Sequence, residues 1–196
     1  MKKILCLSML AVAGASMAMV AHAQNVSVGA AVSNSYETEL NFQDGAHTST
    51  FKSKEKPVPF KFYLAYNFAP AIAVEAGYKN FGSSTIDPVP GSGNQLGTRA
   101  DAIYTAVRGT WQAAEDWSLY GKIGTTYTRT KFTATGELSS LAGEEKKMRL
   151  YAGAGMAYNV SKELALTLEL EHFGEAKKAG LKFGMDGFSL GLRYQF

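Results

Sequence analysis

The chain has 196 residues, a formal charge of +3, 46% apolar and 19% charged residues, and one cysteine, enough for one full domain. A balance this close to neutral excludes the basic surface that nucleic-acid binding needs, and one cysteine excludes a disulfide framework. Beyond the N-terminus no stretch approaches the ~18 consecutive apolar residues of a membrane helix, but strands hide their apolar surface in every second residue and escape that test.

Lys2 and Lys3 precede the apolar run from Ile4 to Val20, and Ala21-His22-Ala23 closes it with the small-x-small pattern of a cleavage site. Residues 1–23 therefore read as a Sec signal peptide, cut before Gln24. Cys6 lies at the front of that run, which argues against a lipoprotein anchor. Taking 23 residues and their two lysines from 196 residues and +3 leaves 24–196, a mature domain of 173 residues with charge +1 and no cysteine.

From Asn25 the chain alternates. Val26, Val28, Ala30 and Val32 oppose Ser27, Gly29, Ala31 and Ser33, the period of two that marks a strand. Polar residues 35–58, with Asp44-Gly45 and four charges from Lys52 to Lys56, read as a long loop. Phe60, Phe62, Leu64 and Tyr66 then oppose Lys61, Tyr63, Ala65 and Asn67, and a tight turn at Phe68-Ala69-Pro70 leads to Ile72, Val74, Ala76 and Tyr78 against Ala73, Glu75, Gly77 and Lys79. Residues 80–99 form a second long loop around Pro88, Pro90 and Gly91-Ser92-Gly93. The fourth strand sets Ile103, Thr105, Val107 and Trp111 against Tyr104, Ala106, Arg108 and Thr110.

After a short turn at 113–116, Trp117, Leu119, Ile123, Thr125 and Tyr127 face away from Tyr120, Lys122, Gly124, Thr126 and Thr128. Residues 132–147 are the third long loop. Leu150, Ala152, Ala154, Met156 and Tyr158 alternate with Tyr151, Gly153, Gly155 and Ala157, and a turn at 159–162 follows. In the seventh strand the leucines at 164, 166, 168 and 170 recur every second position, which a helix would scatter around its circumference, so the period outweighs the helical propensity of Ala, Leu and Glu. A loop at 175–184 leads to the last strand, where Phe188, Leu190, Leu192, Tyr194 and Phe196 oppose Gly187, Ser189, Gly191, Arg193 and Gln195. An aromatic strand running to the last residue needs a partner for its edge, and closure onto the first strand supplies one.

Which face meets the solvent follows from four features. Connections of roughly 20, 3, 20, 5, 15, 4 and 10 residues alternate long and short, as in outer-membrane barrels. Aromatics gather at strand ends: Tyr66, Trp111, Trp117, Tyr158, Tyr194 and Phe196 near the short turns, and Tyr36, Tyr78, Tyr127, Phe81 and Phe132 near the long loops. The polar face is rich in Gly, Ala, Ser and Thr, which suits a crowded interior. The apolar face carries no charge in its central band, where one costs about 2–4 kcal/mol. The fold class is all-β, an eight-stranded antiparallel up-and-down transmembrane β-barrel.

Lys61, Glu75, Arg108, Lys122, Glu169, Glu171 and Arg193 then point into the interior, where charges must pair. Glu75 and Arg108 sit at similar height on neighbouring strands and are expected to pair directly. Lys122 and Glu169 match in height across an intervening strand whose Gly153 and Gly155 leave room for them to meet. A packed interior is expected, with a gate as the rival and no wide pore. Catalysis finds little support: His47-Thr48-Ser49 lacks a carboxylate to orient the imidazole, His172 reads as a surface residue, and two isolated histidines make no metal site. No enzyme activity, cofactor or metal is expected. Lysines at 52, 54, 56, 146, 147, 177, 178 and 182 cluster in the loops, where lipopolysaccharide phosphates would lie.

Three stretches carry a resemblance: Glu75 followed by Ala76-Gly77-Tyr78, the run Tyr120-Gly121-Lys122-Ile123-Gly124, and the closing sequence from Phe188 to Phe196. With the strand order over the whole mature chain, they are similar to the OmpA-type transmembrane β-barrel family. The resemblance implies that Tyr194 and Phe196 form the terminal signal read by the barrel-assembly machinery. It also implies an interior salt network at Glu75, Arg108, Lys122 and Glu169, with Arg193 added by its inward parity. Thr167 stands where the family commonly has an arginine, so its gating switch is expected to be missing or rearranged. The family's peptidoglycan-binding domain is not expected, since the sequence stops at Phe196. The chain is thus read as a monomeric Gram-negative outer-membrane protein, handled by periplasmic chaperones, with a structural or surface-recognition role. Its alternatives are a small channel, an adhesin using its loops on a host or surface ligand, and more remotely a lipid A-modifying enzyme.

Overall fold

The computed structural model describes residues 25–34, 38–44, 47–52, 58–86, 95–136, 139, 142–178 and 181–196; the expected leader at 1–23 and Tyr36 lie outside them. Ten strands follow in order: β1 (Val26–Ser33), β2 (Thr38–Asp44), β3 (His47–Lys52), β4 (Phe60–Ala69), β5 (Ile72–Ile86), β6 (Leu96–Gln112), β7 (Trp117–Ala134), β8 (Gly143–Asn159), β9 (Leu164–Lys178) and β10 (Leu181–Gln195). All pair antiparallel, and β1 pairs with β4 on one side and β10 on the other, which closes β1-β4-β5-β6-β7-β8-β9-β10 into a ring of eight. The final residue is tied in as well, its N–H donating to the Val26 carbonyl at 3.0 Å. Closure pairs the edges of β1 and β10, while β8 and β9 pair only from Ala152↔His172 to Asn159↔Ala165 and part beyond that toward the loop end.

The alternation of the sequence becomes an inside and an outside. Phe62, Leu64, Val74, Ile103, Val107, Ile123, Leu150, Leu168, Leu170, Phe188, Leu190 and Leu192 all project from the wall, while Ala65, Ala73, Ala106, Ala157 and Thr128 are buried within it. So large an apolar exterior on a closed barrel has hydrocarbon as its solvent. Trp117 meets Tyr158 at 4.9 Å with the rings tilted, near the short turns, in the aromatic row expected there.

Inside, tyrosines lie over glycines on neighbouring strands. A Cβ on Gly77 would meet the Tyr104 ring at 2.6 Å and one on Gly155 would meet the Tyr120 ring at 2.6 Å; Gly29 gives way to Tyr63 in the same manner. Small and large residues therefore interlock across the wall, as a barrel of this width requires.

Three expectations need correction. The strands are longer than the apolar alternation: the expected loop at 80–99 shrinks to 87–95, that at 132–147 to 135–142, and that at 175–184 to 179–180. Apolar alternation reports contact with lipid, whereas backbone pairing continues past the bilayer into water on both faces. The stretch at 35–58, read as an irregular loop, contains the β2–β3 hairpin, which joins the sheet through Leu181↔Leu40 and its neighbours on β10. Phe81 and Phe132, assigned to the outer aromatic row, are buried inside. The alternation of their own strands, carried past Lys79 and Thr130, already points them inward. Gly82, at φ 82, sits where the β5–β6 register shifts between Asn80 and Gly82, and Ser84 is the next buried side chain on β5.

Candidate functional site: a charge ladder inside the barrel

The inward residues of β4, β5, β6, β7 and β9 bring seven charges into one chain of alternating sign. Lys79 Nζ lies 2.8 Å from Glu171 Oε2, and Glu171 Oε1 lies 2.8 Å from Lys61 Nζ. Lys61 reaches Glu169 Oε2 at 3.0 Å, Glu169 Oε1 is 2.9 Å from Lys122 Nζ, and Lys122 is 2.7 Å from Glu75 Oε1. Arg108 Nη1 ends the chain 3.5 Å from Glu75 Oε2. Each glutamate serves two cations, and the order runs from the loop end at Lys79 to the turn end at Arg108.

Taking such charges out of water costs several kcal/mol per ion unless every lone pair finds a donor. Hydroxyls complete the set. Tyr104 donates to Glu75 at 2.6 Å, Tyr151 donates to Glu169 at 3.2 Å and to Glu171 at 2.9 Å, and Ser189 donates to Glu171 at 3.2 Å. Ring faces add cation–π contacts: Lys79 stands 4.9 Å from the Phe173 centroid and Lys122 stands 5.0 Å from that of Tyr63.

Above Lys79 the interior turns apolar. Phe81 meets Phe173 edge-on at 5.3 Å, Tyr151 meets Phe173 at 4.7 Å, and Phe132 and Met185 are buried beside them. This plug seals the ladder from the loop end. Below Arg108 the barrel opens into a vestibule of about 650 Å³ lined by Arg108, Arg193, Asn67, Gln112, Ser118 and Gln195 among others.

Glu75, Arg108, Lys122 and Glu169 thus come together as their heights on the strands implied, with two differences in detail. Lys122, not Arg108, is the short partner of Glu75, and Arg108 turns Nη2 to Asn67 Oδ1 at 3.2 Å. Arg193 stands apart in the vestibule and makes no ion pair among the described residues. Lys61 and Glu171, placed inside by parity but not assigned to the network, form its loop-end half with Lys79, which parity set on the same face as Glu75 but which was not counted among the inward charges. Lys79 lies two inward positions beyond Glu75 on the same strand, so counting on would have found it. Thr167 faces inward beside Glu169 and contributes no charge. His172 is exposed on the outer wall, its Nδ1 2.5 Å from Asp186 Oδ1, while the His47 side chain lies outside the described ones.

A closed antiparallel barrel with a greasy exterior and a paired, charged interior defines an integral outer-membrane barrel protein. The chain belongs to the outer membrane protein beta-barrel domain family, whose model matches residues 4–196. Among solved structures it is similar to the N-terminal β-barrel domain of Pseudomonas aeruginosa OprF, at 12% identity over 88% of this chain and 98% of that one, with a TM-score of 0.54. Neisserial surface protein A matches at 11% identity over 87% and 97%, with a TM-score of 0.52, and Pseudomonas aeruginosa OprG at 10% over 89% and 99%, also at 0.52. At these identities the likeness carries the fold alone. A comparison with curated proteins found no match.

Proposed function

We propose that this outer-membrane barrel has a structural or surface-recognition role, with at most weak, narrow pore activity. The carrying observation is the filled interior: Glu75 and Lys79 are 0% exposed, with the Phe81–Phe173 plug above them. An ion crossing the barrel would have to break several buried pairs in succession. Purified protein in planar bilayers is expected to give no resolved conductance steps above background; regular, voltage-independent openings would replace this reading with the small-channel one.

In this reading residues 1–23 are the export leader, 24–196 fold as a monomeric barrel after periplasmic chaperones deliver them, and Tyr194 with Phe196 addresses the assembly machinery. The loop end faces outward. Lipopolysaccharide is the proposed lipid partner there, supported by a two-row patch on β6–β7–β8. Arg99, Lys131 and Glu144 lie across from one another, with Asp101, Arg129 and Lys146 in the row beneath. Lys146 at 2.9 Å, with Arg129 at 2.8 Å, bonds Glu144 and holds its carboxyl below the usual carboxylate range. Arg99 and Lys131 keep no ion pair among the described residues, which leaves cations for anionic headgroups.

The adhesin reading rests on the strands and the β2–β3 hairpin that continue beyond the lipid-facing band; a loop deletion that left cell binding unchanged would remove it. Unchanged lipid A mass spectra on overexpression would dismiss lipid A modification.

A further inference from the structure

The charge ladder does not balance. Among the described residues, the side chains inside the wall from Lys79 down comprise five cations, Lys61, Lys79, Arg108, Lys122 and Arg193, against three carboxylates, Glu75, Glu169 and Glu171; the turns at the rim add Lys162 against Glu115 and Asp116, which still leaves an excess of one positive charge. At the loop end the surplus is covered, because Lys79 has Glu171 and the Phe173 ring. At the turn end it is not. Arg108, 4% exposed, has only the 3.5 Å contact to Glu75 and the amide oxygen of Asn67, and its Nε is buried without a hydrogen-bond partner. Arg193 rises from β10 into the same vestibule with no carboxylate of its own, and the two guanidinium charges repel each other across it. Glu115 and Asp116, in the β6–β7 turn at the rim, make no ion pair with either arginine.

We propose that the turn-end vestibule is a binding site for a phosphate-class oxyanion, held by Arg193 and Arg108 and hydrogen-bonded by the neutral side chains beside them. A planar guanidinium offers paired N–H donors matched to phosphate oxygens, and two of them with spare donors in a half-enclosed mouth make a better anion site than a surface lysine. Asn67 and Ser118 supply uncharged donors without introducing a competing negative charge, while Gln112 spends its amide N–H groups on the Ala114 and Glu115 carbonyls at 2.7 and 3.0 Å. The volume of about 650 Å³ admits more than the bare ion, so the same chemistry serves free phosphate or the phosphate group of a small solute.

The test titrates the mature barrel, refolded in uncharged detergent, with inorganic phosphate and separately with glycerol 3-phosphate, by calorimetry in chloride buffer. The expected result is saturable one-to-one binding in at least one arm; tighter binding of the ester points to an organic phosphate and equal binding to the free ion, and both support the site. Arg193→Gln is expected to weaken binding about tenfold or more and Arg193→Lys to weaken it less, while Arg149→Gln, on the loop-end half of β8 where Arg149 pairs with Glu145 at 2.8 Å, leaves it unchanged. Heat-modifiable gel mobility identical to wild type shows that the variants are folded. No saturable binding in either arm, an unaffected Arg193→Gln, or an equal loss in Arg149→Gln would overturn the proposal.

Discussion

Replacing Glu169 with glutamine removes one charge from the middle of the ladder while keeping its size and an acceptor for Tyr151. Breaking a buried ion pair by deleting one partner costs about 3–5 kcal/mol, because the other charge is left without compensation. Here neither lysine is fully stranded: Lys61 retains Glu171 at 2.8 Å and Lys122 retains Glu75 at 2.7 Å. The cost is therefore set at the lower bound, about 3 kcal/mol. With a urea slope of about 2 kcal/mol per molar, the unfolding midpoint of the barrel in lipid falls by about 1.5 M. Trp111 and Trp117 both face outward, so their emission reports loss of lipid contact as the barrel unfolds. Combining Glu169→Gln with Lys122→Met removes one charge of each sign, and the double variant is expected to lose at least about 1 kcal/mol less than the sum of the single ones. A midpoint for Glu169→Gln within about 0.3 M of wild type, or strict additivity in the pair, would refute the ladder as a stabilising unit.

Gly155→Ala places a Cβ 2.6 Å from both the Tyr120 ring and the Leu168 carbonyl oxygen, and overpacking of this kind costs about 1–3 kcal/mol in the same urea assay; Gly109→Ala, with nothing within 4 Å, is expected to be neutral. Leu168→Arg, in the middle of the lipid-facing row, is expected to destabilise by about 2–4 kcal/mol, and Leu164→Arg near the turns by about 0–1 kcal/mol; equal effects would argue against lipid on that face. Phe196→Ser removes the ring that meets Tyr194 at 5.1 Å but keeps the backbone bond to Val26. It should lower the amount of barrel in outer-membrane fractions while leaving refolding of the purified chain unchanged, and a parallel loss in both assays would assign Phe196 to packing.

The period of two made the barrel legible, and with it the side on which Glu75, Arg108, Lys122 and Glu169 stand, because one face in lipid forces every second residue to be apolar. The same signal misled where lipid contact ends. Phe81 and Phe132 looked like outer-row aromatics only because the strands were stopped with the greasy stretch; two more residues of unbroken alternation put them in the plug. Lys79 stood on the inner face of its strand by the same alternation as Glu75, and was passed over only in counting the inward charges. Which cation lies nearest which carboxylate was not legible at all. Lys122 takes the short contact with Glu75 because its four-carbon stem reaches over β6, the strand between them, a distance that neither parity nor height along a strand encodes.

The ladder also has a consequence for how the wall assembles. Displacing one strand against its neighbours by two positions keeps every oily side chain in the bilayer and every polar one inside, so hydrophobic patterning cannot distinguish the mistake from the correct arrangement. The charges can, since that displacement moves each of them by about 6.6 Å along the strand, sets Glu171 where Glu169 belongs and leaves an ammonium without a carboxylate. Salt bridging in the lumen thus acts as a proofreader of strand alignment, rejecting the near-miss barrels that lipid alone would accept.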